Sequence, residues 1–355
     1  MKFEAVTIKD IARALGLSTS TVSRALRDSF EVSQETKQLV LECAGKLNYQ
    51  PNPIALSLKE KRSRSIGVVV CEVANNFFSQ IINGIESISY SKGYNVIISQ
   101  SHESYEREVI DLRYLSSRSV DGLLISMSTE THDISHLKAL HERGLPIVFF
   151  DRITEEIKTH SVIVDNYKGA YEATEHLVKN GYRRIAAIAN SEFLNITSER
   201  LGGYKEALIA NGITPSDDHI KHCFYGGMIF SEIEDAVNRL FTLKHKPDAI
   251  FTTSDKLTTG LLKTLKRRGL RVPDDIAVAG FSNTDIAELL NPSLTVIRQP
   301  AYEIGQAATE LLLQLIESKR PVKQFEKRVL SPQLLIGDSS APKQKKQDAN
   351  DGHTN

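Results

Sequence analysis

Charged and aromatic side chains stand at several points where the sequence predicts that a buried strand ends. Asp151 closes the apolar run PIVFFD and Asp255 closes AIFTTSD, while Phe77 and Phe78 follow the first strand of the series. Arg200 falls where we expect the first turn of a helix, a position at which a cation opposes the helix dipole. In open α/β sheets, ligands bind beyond the carboxyl ends of the strands. These residues are therefore candidates for a ligand site.

The elements that must position these side chains begin at Ile66, where short β-branched runs alternate with helical stretches. Strands that are apolar throughout and alternate with amphipathic helices indicate parallel sheets covered on both faces. So many strands suit two such sheets better than one. The predicted strands are 66–70, 95–99, 122–126, 146–150, 161–164, 184–189, 221–225, 249–253, 276–281 and 294–297. The predicted helices include 78–92, 167–180, 200–211, 255–268 and 302–318.

The first 50 residues have a different pattern, with short helical stretches and no predicted strand. A first helix ends at Gly16, and a second is capped by Ser18 and runs to Leu26. A third begins at Ser33 and is expected to bury one apolar face. Helix, glycine turn and helix make a candidate helix-turn-helix. The apolar positions expected to be buried in the third helix are Val40, Leu41, Ala44 and Leu47.

Charge and composition agree with a nucleic-acid-binding head on a larger body. The 355-residue chain has no net charge, yet residues 1–65 hold 11 Lys and Arg against 7 Asp and Glu. A basic segment on a mildly acidic body is typical of a nucleic-acid reader attached to another domain. Residues 51–65, QPNPIALSLKEKRSRS from Gln50, combine prolines, a short apolar run and basic residues. Such a connector is not expected to fold without a partner.

Several classes of protein are excluded or disfavoured by absent patterns. No apolar run reaches the ~18 residues of a membrane-spanning helix, and the N-terminus lacks an export signal, so we expect a cytoplasmic protein. The three cysteines and ten histidines follow no metal or redox spacing. No GxGxxG, GxxxxGK[ST] or GxSxG motif is present, so no enzyme, cofactor or metal is expected.

Several separate motifs share the order and spacing of one family. TIKDIARALGLSTSTVSRAL, YQPNPIALSLK and RSIGVVV, followed by DGLLIS, PIVFFDR, RLGGYKEAL, VPDDIAVAGF and PSLTVIRQP, resemble the LacI/GalR family of bacterial transcription regulators. The resemblance covers residues 7 to about 337. It implies a helix-turn-helix head with a hinge helix, followed by a periplasmic-binding-protein-like α/β body of two Rossmann-like lobes.

The resemblance implies specific contacts with operator DNA. The second helix of a helix-turn-helix enters the major groove, where Arg can bond guanine bidentately. Hydroxyl groups around the helix start position the head on phosphates. The implied base-reading residues are Thr19, Ser20 and Arg24, and the implied backbone contacts are Thr7, Ser18, Thr21, Ser23, Asn52 and Lys59.

A hinge helix is implied between the head and the body. Leu58 matches the leucine that inserts between base pairs in the minor groove and kinks the duplex. Ala55 matches the small residue that lets two hinge helices approach each other. The family commonly has Arg after this alanine, whereas this chain has Leu56, which makes the hinge more apolar.

The family pattern also implies an effector site in the body. Positions matching Asp151 and Arg200 hold an effector's polar groups, and aromatic residues near Phe77 flank its ring; this chemistry suits a polyhydroxylated ring. The family's sugar binders often have Asn where this chain has Ser254 and Asp where it has Ser282. A sugar or sugar derivative is expected, with phosphorylated or acidic effectors left open. The candidate effector-binding residues are Phe77, Phe78, Asp151, Arg200, Ser254 and Ser282.

The resulting expectation is a dimeric repressor that binds a palindromic operator under control of a small-molecule effector, without a membrane partner. We expect a head at 1–50, a hinge and linker at 51–65, an effector and dimerisation domain at 66–340, and a disordered tail at 341–355. The two lobes should divide near residue 164, with crossovers near 295 and 325. A solute-binding protein fits the body but not the basic head, and a regulator that senses a protein or no ligand stays open.

Overall fold

The computed structural model describes residues 6–50 and 62–343, and the chain forms two compact units that divide after Ser63. Asn52, Ala55, Leu56, Leu58 and Lys59 of the expected hinge lie outside the described residues, as does the part of the expected tail beyond residue 343. The two units are described separately below.

The first unit is the helical head, with α1 at Ile8–Leu15, α2 at Thr19–Ala25 and α3 at Gln34–Lys46. Gly16 ends α1 in the left-handed region at φ +65°, which glycine adopts without steric cost. Ser18 and Ser33 cap α2 and α3 by accepting hydrogen bonds from the backbone N–H groups of Thr21 and Thr36, each the third residue of its helix. The buried core of the head contains Ile11, Ala12, Val22, Ala25, Val40 and Ala44.

Two of the predicted core positions of α3 are wrong. Val40 and Ala44 are buried, but Leu41 is 57% exposed and Leu47 is 36% exposed. Val40 and Ala44 are four residues apart and share one helix face, whereas Leu41 lies about 100° around the axis from Val40. Only one face of α3 is covered by α1 and α2, so the remaining leucines stay at the surface.

The body contains two six-stranded sheets, each forming the centre of one lobe. The strand order is β11-β5-β4-β3-β1-β2 in the N-lobe, where every pairing is parallel, and β12-β10-β9-β8-β6-β7 in the C-lobe, where only the β10–β12 pairing is antiparallel. The N-lobe strands are β1 Ser65–Val70, β2 Asn95–Gln100, β3 Gly122–Ile125, β4 Ile147–Phe150, β5 Ser161–Val164 and β11 Lys327–Leu330. The C-lobe strands are β6 Ile185–Ala189, β7 Ile220–His222, β8 Ala249–Thr252, β9 Ala277–Phe281, β10 Thr295–Arg298 and β12 Gln333–Leu335.

Helices connect these strands and cover the sheets. The N-lobe helices are α4 Asn76–Ser91, α5 Tyr105–Ser117, α6 Ser135–Glu142 and α11 Ala301–Glu317; the C-lobe helices are α7 Asn166–Lys179, α8 Asn195–Ala210, α9 Phe230–Thr242 and α10 Asp255–Arg267. The chain crosses between lobes after β5, after β10 and after β11, so three segments join them.

The second crossing is fixed by close packing of α11 on α4. A Cβ atom built on Gly84 would lie 2.0 Å from the Tyr302 carbonyl oxygen, and one built on Gly305 would lie 2.1 Å from the Ile81 carbonyl oxygen. The two helix backbones therefore touch, and any side chain at either glycine would separate them. This packing anchors the segment that returns from the C-lobe.

Most predicted strand and helix positions in the body are confirmed, but two boundaries are wrong. The strand predicted at 221–225 ends at His222, because the chain then turns through Gly226 and Gly227, both with positive φ. The helix predicted to begin at Arg200 begins at Asn195. β11 and β12 were not predicted, since both are short and half-exposed.

Candidate functional site

Helix α2 presents the predicted base-reading side chains, with Thr19 and Ser20 in its first turn and Arg24 in its last turn. Thr19, Ser20 and Arg24 are all exposed along this helix. The Arg24 guanidinium is not free, because its Nε lies 3.0 Å from a carboxylate oxygen of Glu31. Both side chains are about half exposed, so the pair is accessible to solvent and to DNA. An arginine in this position can exchange its carboxylate partner for a base edge.

The four described residues predicted to contact the DNA backbone form hydrogen bonds within the head. The Thr7 backbone N–H and hydroxyl both donate to Asp10, at 2.9 and 2.7 Å. Ser18 caps α2, and its hydroxyl lies 2.8 Å from that of Thr21. Ser23 accepts a hydrogen bond from Arg27 at 3.1 Å. Each hydroxyl therefore has a partner within the head in the absence of DNA.

In the body, Asp151 lies directly after β4 and is buried, with 5% of its surface exposed. Its backbone is in the left-handed region at φ +60°, which is unusual for a residue with a side chain. Ser126 donates to its carboxylate at 3.4 Å, and the charges of Arg152 and Arg200 both act on it. Burial raises the pKa of Asp151 in spite of these two cations.

Arg200 is buried in the C-lobe with all three of its nitrogen atoms bonded to neutral oxygen atoms. Nε donates to Asn166 at 2.8 Å, and one terminal nitrogen donates to Gln299 at 2.8 Å. The other terminal nitrogen donates to the Thr253 carbonyl, and the guanidinium lies 3.8 Å from the centre of the Phe281 ring. Burial lowers the pKa of Arg200 to about 10.

The prediction that Arg200 lies in the first turn of a helix is wrong. Because α8 begins at Asn195, Arg200 is in the second turn of the helix and is not opposed by the dipole at its start. Its position is set by long-range contacts with the ends of β8, β9 and β10. The residue is nevertheless placed at the carboxyl edge of the C-lobe sheet, opposite Asp151.

The remaining predicted effector residues have other partners in this structure. Phe77 and Phe78 lie in the first turn of α4, are 5% and 4% exposed, and pack in the N-lobe core with ring centroids 5.3 Å apart. Ser254 precedes α10 and donates to Asn190 at 3.1 Å. Ser282 is fully buried and donates to the Asp255 carboxylate.

The Asp255 carboxylate, which follows β8 as the sequence predicts, bonds to protein groups at the end of β9. Ser254 occupies the N-cap position of α10, and Asp255 is the first helical residue. Its carboxylate accepts hydrogen bonds from Ser282 and from the Asn283 backbone, and burial raises its pKa. Asp255 thus joins the ends of β8 and β9.

Sequence reasoning missed a buried ion pair beside Asp151. Arg152 donates to both oxygen atoms of Glu103, at 2.6 and 2.9 Å. Although burial alone would raise it, the Arg152 guanidinium holds the pKa of Glu103 below its usual range. The available signal was a charged residue following the fully apolar β4. Its partner lies 49 positions away, after β2, and no local pattern connects the two.

Side chains of the two lobes also contact each other directly. Lys256 of α10 lies 2.8 Å from Glu72, which follows β1. The rings of His132 and Phe193 meet edge to face with centroids 4.8 Å apart. The two lobes are therefore in contact through both an ion pair and an aromatic pair.

Neither a membrane-spanning helix nor a metal-binding cluster is found in residues 6–50 and 62–343. No helix there has the length and apolar character to cross a membrane. Within the same residues, no group of three or more His, Cys, Asp or Glu side chains is arranged to hold a metal ion.

Comparisons with known proteins agree with this architecture. Residues 7–52 match the model for bacterial regulatory proteins of the lacI family, and residues 174–340 match the periplasmic binding protein-like domain. The chain is 33% identical over 332 residues to the HTH-type transcriptional repressor PurR of Vibrio campbellii, covering 93% of this chain and 97% of that protein.

Two solved structures show the same similarity in three dimensions. The lac repressor dimer bound to operator and the anti-inducer ONPF superimposes with a TM-score of 0.80 at 27% identity, covering 95% of this chain and all of that one. The complex of the transcriptional regulator CelR with cellobiose gives a TM-score of 0.69 at 29% identity, covering 94% and 99%. The chain therefore belongs to the lacI family and is a DNA-binding transcriptional repressor, not an enzyme, with a periplasmic-binding-protein-like effector domain.

Proposed function

We propose that this repressor binds a two-fold-symmetric operator as a homodimer and that a neutral, hydroxyl-rich effector in the cleft controls its affinity. The observation that carries this proposal is the placement of buried Asp151 and Arg200 at facing edges of the two lobes. A ligand held by both would prefer the closed form of the body, and a preference between two forms is what allosteric control requires.

The proposed operator contacts rest on the head and the hinge. Thr19, Ser20 and Arg24 read base edges, and the hydroxyl groups of Thr7, Ser18, Thr21 and Ser23 contact phosphates. Asn52 and Lys59 are proposed as further phosphate contacts, and Ala55 and Leu58 as the residues of the hinge in the minor groove. Exposure of Thr19, Ser20 and Arg24 on one helix supports the major-groove assignment.

The cationic side chains around the cleft already have partners within the protein. Arg152 is neutralised by Glu103, Lys256 is paired with Glu72, and the three nitrogen atoms of Arg200 bond to protein oxygen atoms. Protein carboxylates therefore compensate two of these three cations, and Arg200 uses three of its five N–H donors on protein oxygen atoms, which leaves two for a ligand. This charge balance favours a neutral effector over a phosphate or carboxylate. The Asp151 carboxylate, in contrast, accepts one protein hydrogen bond, from Ser126 at 3.4 Å, and can accept others from ligand hydroxyls.

The other predicted contacts complete this proposed site. Ser254 and Ser282 are proposed to supply hydroxyls at the ends of β8 and β9, and Phe77 and Phe78, at the start of α4, to supply an aromatic wall. The cellobiose in the CelR complex shows that a related body accepts a sugar. This similarity supports a sugar in the present cleft.

The effector proposal is tested by the thermal unfolding of the full chain with a panel of neutral sugars, sugar phosphates, sugar acids and purines. We expect a neutral sugar to raise Tm, because a ligand that binds only the native state stabilises it. Arg200→Ala should remove this increase, while Arg184→Ala, which replaces an exposed arginine before β6, should retain it. An increase caused only by phosphorylated or acidic compounds would contradict a neutral effector, and no increase at all would contradict a sugar.

The dimer and hinge proposals have separate tests. Sedimentation equilibrium of the full chain should give a dimer, and a stable tetramer without DNA would contradict this assembly. Leu58→Ala should weaken binding to a selected palindromic site while leaving nonspecific binding unchanged, because a minor-groove wedge contributes only where the duplex is kinked. Equal specific affinities of the variant and the parent chain would contradict the hinge role.

A further inference from the structure

A single guanidinium group connects the loops that follow four neighbouring strands of the N-lobe. Arg152 follows β4 and donates to Glu103, which follows β2. It also donates to the Met127 carbonyl at 3.2 Å and to the Thr129 hydroxyl at 3.3 Å, both after β3. A further contact of 3.2 Å reaches the sulfur of Cys71, which follows β1. These loops form the N-lobe face of the cleft.

Glu103 extends this connection. Its Oε2 accepts hydrogen bonds from the Thr129 backbone at 2.9 Å and from the Thr129 hydroxyl at 2.8 Å, in addition to Arg152. The backbone of Glu103 is in the left-handed region at φ +64°, so its loop is held in an uncommon conformation. The bidentate pair is 5% and 7% exposed, and ion pairs this deeply buried depend on complete hydrogen bonding.

The same pair meets the opposite lobe. A Cβ atom built on Gly226, in the loop after β7 of the C-lobe, would lie 3.3 Å from Oε1 of Glu103. Glycine therefore lets the C-lobe loop lie directly against the ion pair when the lobes are together. Separation of the lobes would remove this cover and admit water to Glu103 and Arg152.

We propose that Glu103 and Arg152 are positioning residues. Their ion pair fixes the loops after β1, β2, β3 and β4, which form the N-lobe face of the effector site, and the contact with Gly226 makes the stability of this pair depend on lobe closure. Arg152 is the neighbour of Asp151, so fixing its guanidinium fixes the backbone that presents the Asp151 carboxylate. Both terminal nitrogen atoms of Arg152 bond to protein acceptors. The link to effector binding rests on the proposed function, whereas the positioning of the four loops does not.

The reactivity of Cys71 reports the positioning directly. This thiol is 1% exposed and contacts Arg152, so it should react slowly with the disulfide reagent DTNB while the loops are held. Replacing Cys43 and Cys223 by Ala leaves Cys71 as the only thiol in the full chain. Glu103→Gln in this background should increase the rate of Cys71 modification by about tenfold or more, because local opening no longer breaks an ion pair.

Glu108→Gln is the matched control. Glu108 is also fully buried, and it accepts a hydrogen bond from the Ser128 backbone at 2.7 Å, next to the loop that Arg152 holds, but it bonds His136 instead of Arg152. A general loss of stability should affect Cys71 similarly in both variants. The positioning role predicts a large increase only for Glu103→Gln, at urea concentrations where both variants remain folded by circular dichroism.

Arg152→Lys is a second variant that weakens the same ion pair, in case Glu103→Gln does not fold. Lysine keeps the charge but cannot make the paired bonds to Glu103 together with those to Met127 and Thr129. We expect an intermediate rate of Cys71 modification. Rates in Glu103→Gln and Arg152→Lys that equal the parent rate, or that equal those of Glu108→Gln, would overturn the positioning role.

The contact between Gly226 and Glu103, which links the ion pair to lobe closure, is tested by a second pair of variants. Gly226→Ala places a methyl group against Glu103, whereas Gly212→Ala has a similar positive φ and no atom within 4 Å of the new Cβ. Both carry the same backbone strain. Only Gly226→Ala should increase Cys71 reactivity, and equal rates in the two variants would overturn the connection. A positive thiol result with no sugar bound in the panel would refute the effector proposal and leave the positioning role standing.

Discussion

The head and the body of this repressor hold their functional arginines in opposite ways. Arg24 in the head is 52% exposed at its side chain and has one ion pair, with Glu31 seven residues away. Arg152 and Arg200 in the body are buried, and their partners lie up to 99 residues away in the sequence. The head presents a charge that can change partners, whereas the body fixes its charges before any ligand arrives.

The two buried arginines also differ from each other. Arg152 is paired with a carboxylate that neutralises it, and although burial alone would lower its pKa, Cys71 and Glu103 raise it. Arg200 is held by amide and carbonyl oxygen atoms, and burial lowers its pKa to about 10. The first arrangement suits a structural connection between loops. The second leaves a positive charge directed at Asp151 and at whatever binds between them.

Breaking the ion pair between Glu103 and Arg152 should have the largest effect on the free energy of unfolding. Glu103→Gln leaves the Arg152 charge buried without its partner, which should lower the free energy of unfolding by roughly 3–5 kcal/mol. The double variant Glu103→Leu with Arg152→Met should lose much less, because apolar side chains of similar volume replace both charges. Urea denaturation of the three chains checks this, and a double variant as unstable as Glu103→Gln would contradict the ion-pair explanation.

Replacing Arg24 of the head should weaken DNA recognition and leave the free energy of unfolding nearly unchanged. Arg24→Ala should weaken binding to a selected operator by about 1–3 kcal/mol, the typical contribution of a bidentate base contact. Arg13→Ala is a matched control, because Arg13 is also exposed and ion-paired, with Asp10 of α1. Fluorescence anisotropy at one fixed salt concentration measures both variants. Equal losses for specific and scrambled DNA would contradict base reading by Arg24.

Neutralising Asp151 should separate stability from function. Asp151→Asn should increase the free energy of unfolding at pH 7, by less than Glu103→Gln decreases it, because burial disfavours the ionised carboxylate. The variant should lose the increase in Tm that a sugar produces. Stability measurements with the sugar panel check both outcomes, and a variant that is less stable than the parent but still responds to sugar would contradict the role of Asp151.

The pH dependence of this effect has a defined sign. The folded-state pKa of Asp151 is raised above 3.8, so the folded state binds its proton more readily than the unfolded state does. The stability advantage of Asp151→Asn should be complete at neutral pH and disappear as the pH falls through the raised pKa towards 3.8. Glu103 has a lowered pKa, so its contribution should be complete above 4.5 and disappear as the pH falls below that value. Urea titrations between pH 3 and 7 measure both, and an Asp151→Asn advantage that grows on acidification would be the wrong sign.

The smallest expected effect concerns the ion pair that occupies Arg24 in free protein. Glu31→Gln releases Arg24 and should strengthen operator binding by about 0.2–1 kcal/mol, which is typical of an exposed ion pair. The gain should be larger at low salt, because screening weakens the pair. Weaker binding by Glu31→Gln at every salt concentration would show that Glu31 orients Arg24 instead of competing for it.

Local signals were sufficient to predict most of the head and the order of strands in the body. Gly16, Ser18 and Ser33 mark helix ends through backbone conformation and capping, which depend on only a few neighbouring residues. Leu41 was misassigned because the sequence does not reveal how much of a helix its neighbours cover. The alternation of apolar strands with helices predicted both sheets because each buried strand is apolar along its whole length.

The cleft was only partly predictable. Asp151 was found because a carboxylate after a buried strand is a local signal, but Glu103 and Arg152 form a pair only when the loops after β2 and β4 come together. Arg200 was selected on a helix boundary that is five residues in error, and its actual partners come from α7, β8 and the segment after β10. Long-range partners of this kind are set by topology and not by sequence spacing.

In the proposed function, a ligand between Asp151 and Arg200 controls the affinity of the head for its operator. The most direct test measures operator affinity of the full chain with and without the sugar that raises Tm most, and sugar affinity with and without operator. Thermodynamic linkage requires the two affinity ratios to be equal, and the account predicts a ratio of about 5–150 that disappears in Arg200→Ala. A sugar that binds in the cleft and leaves operator affinity unchanged would contradict control of the head by this ligand.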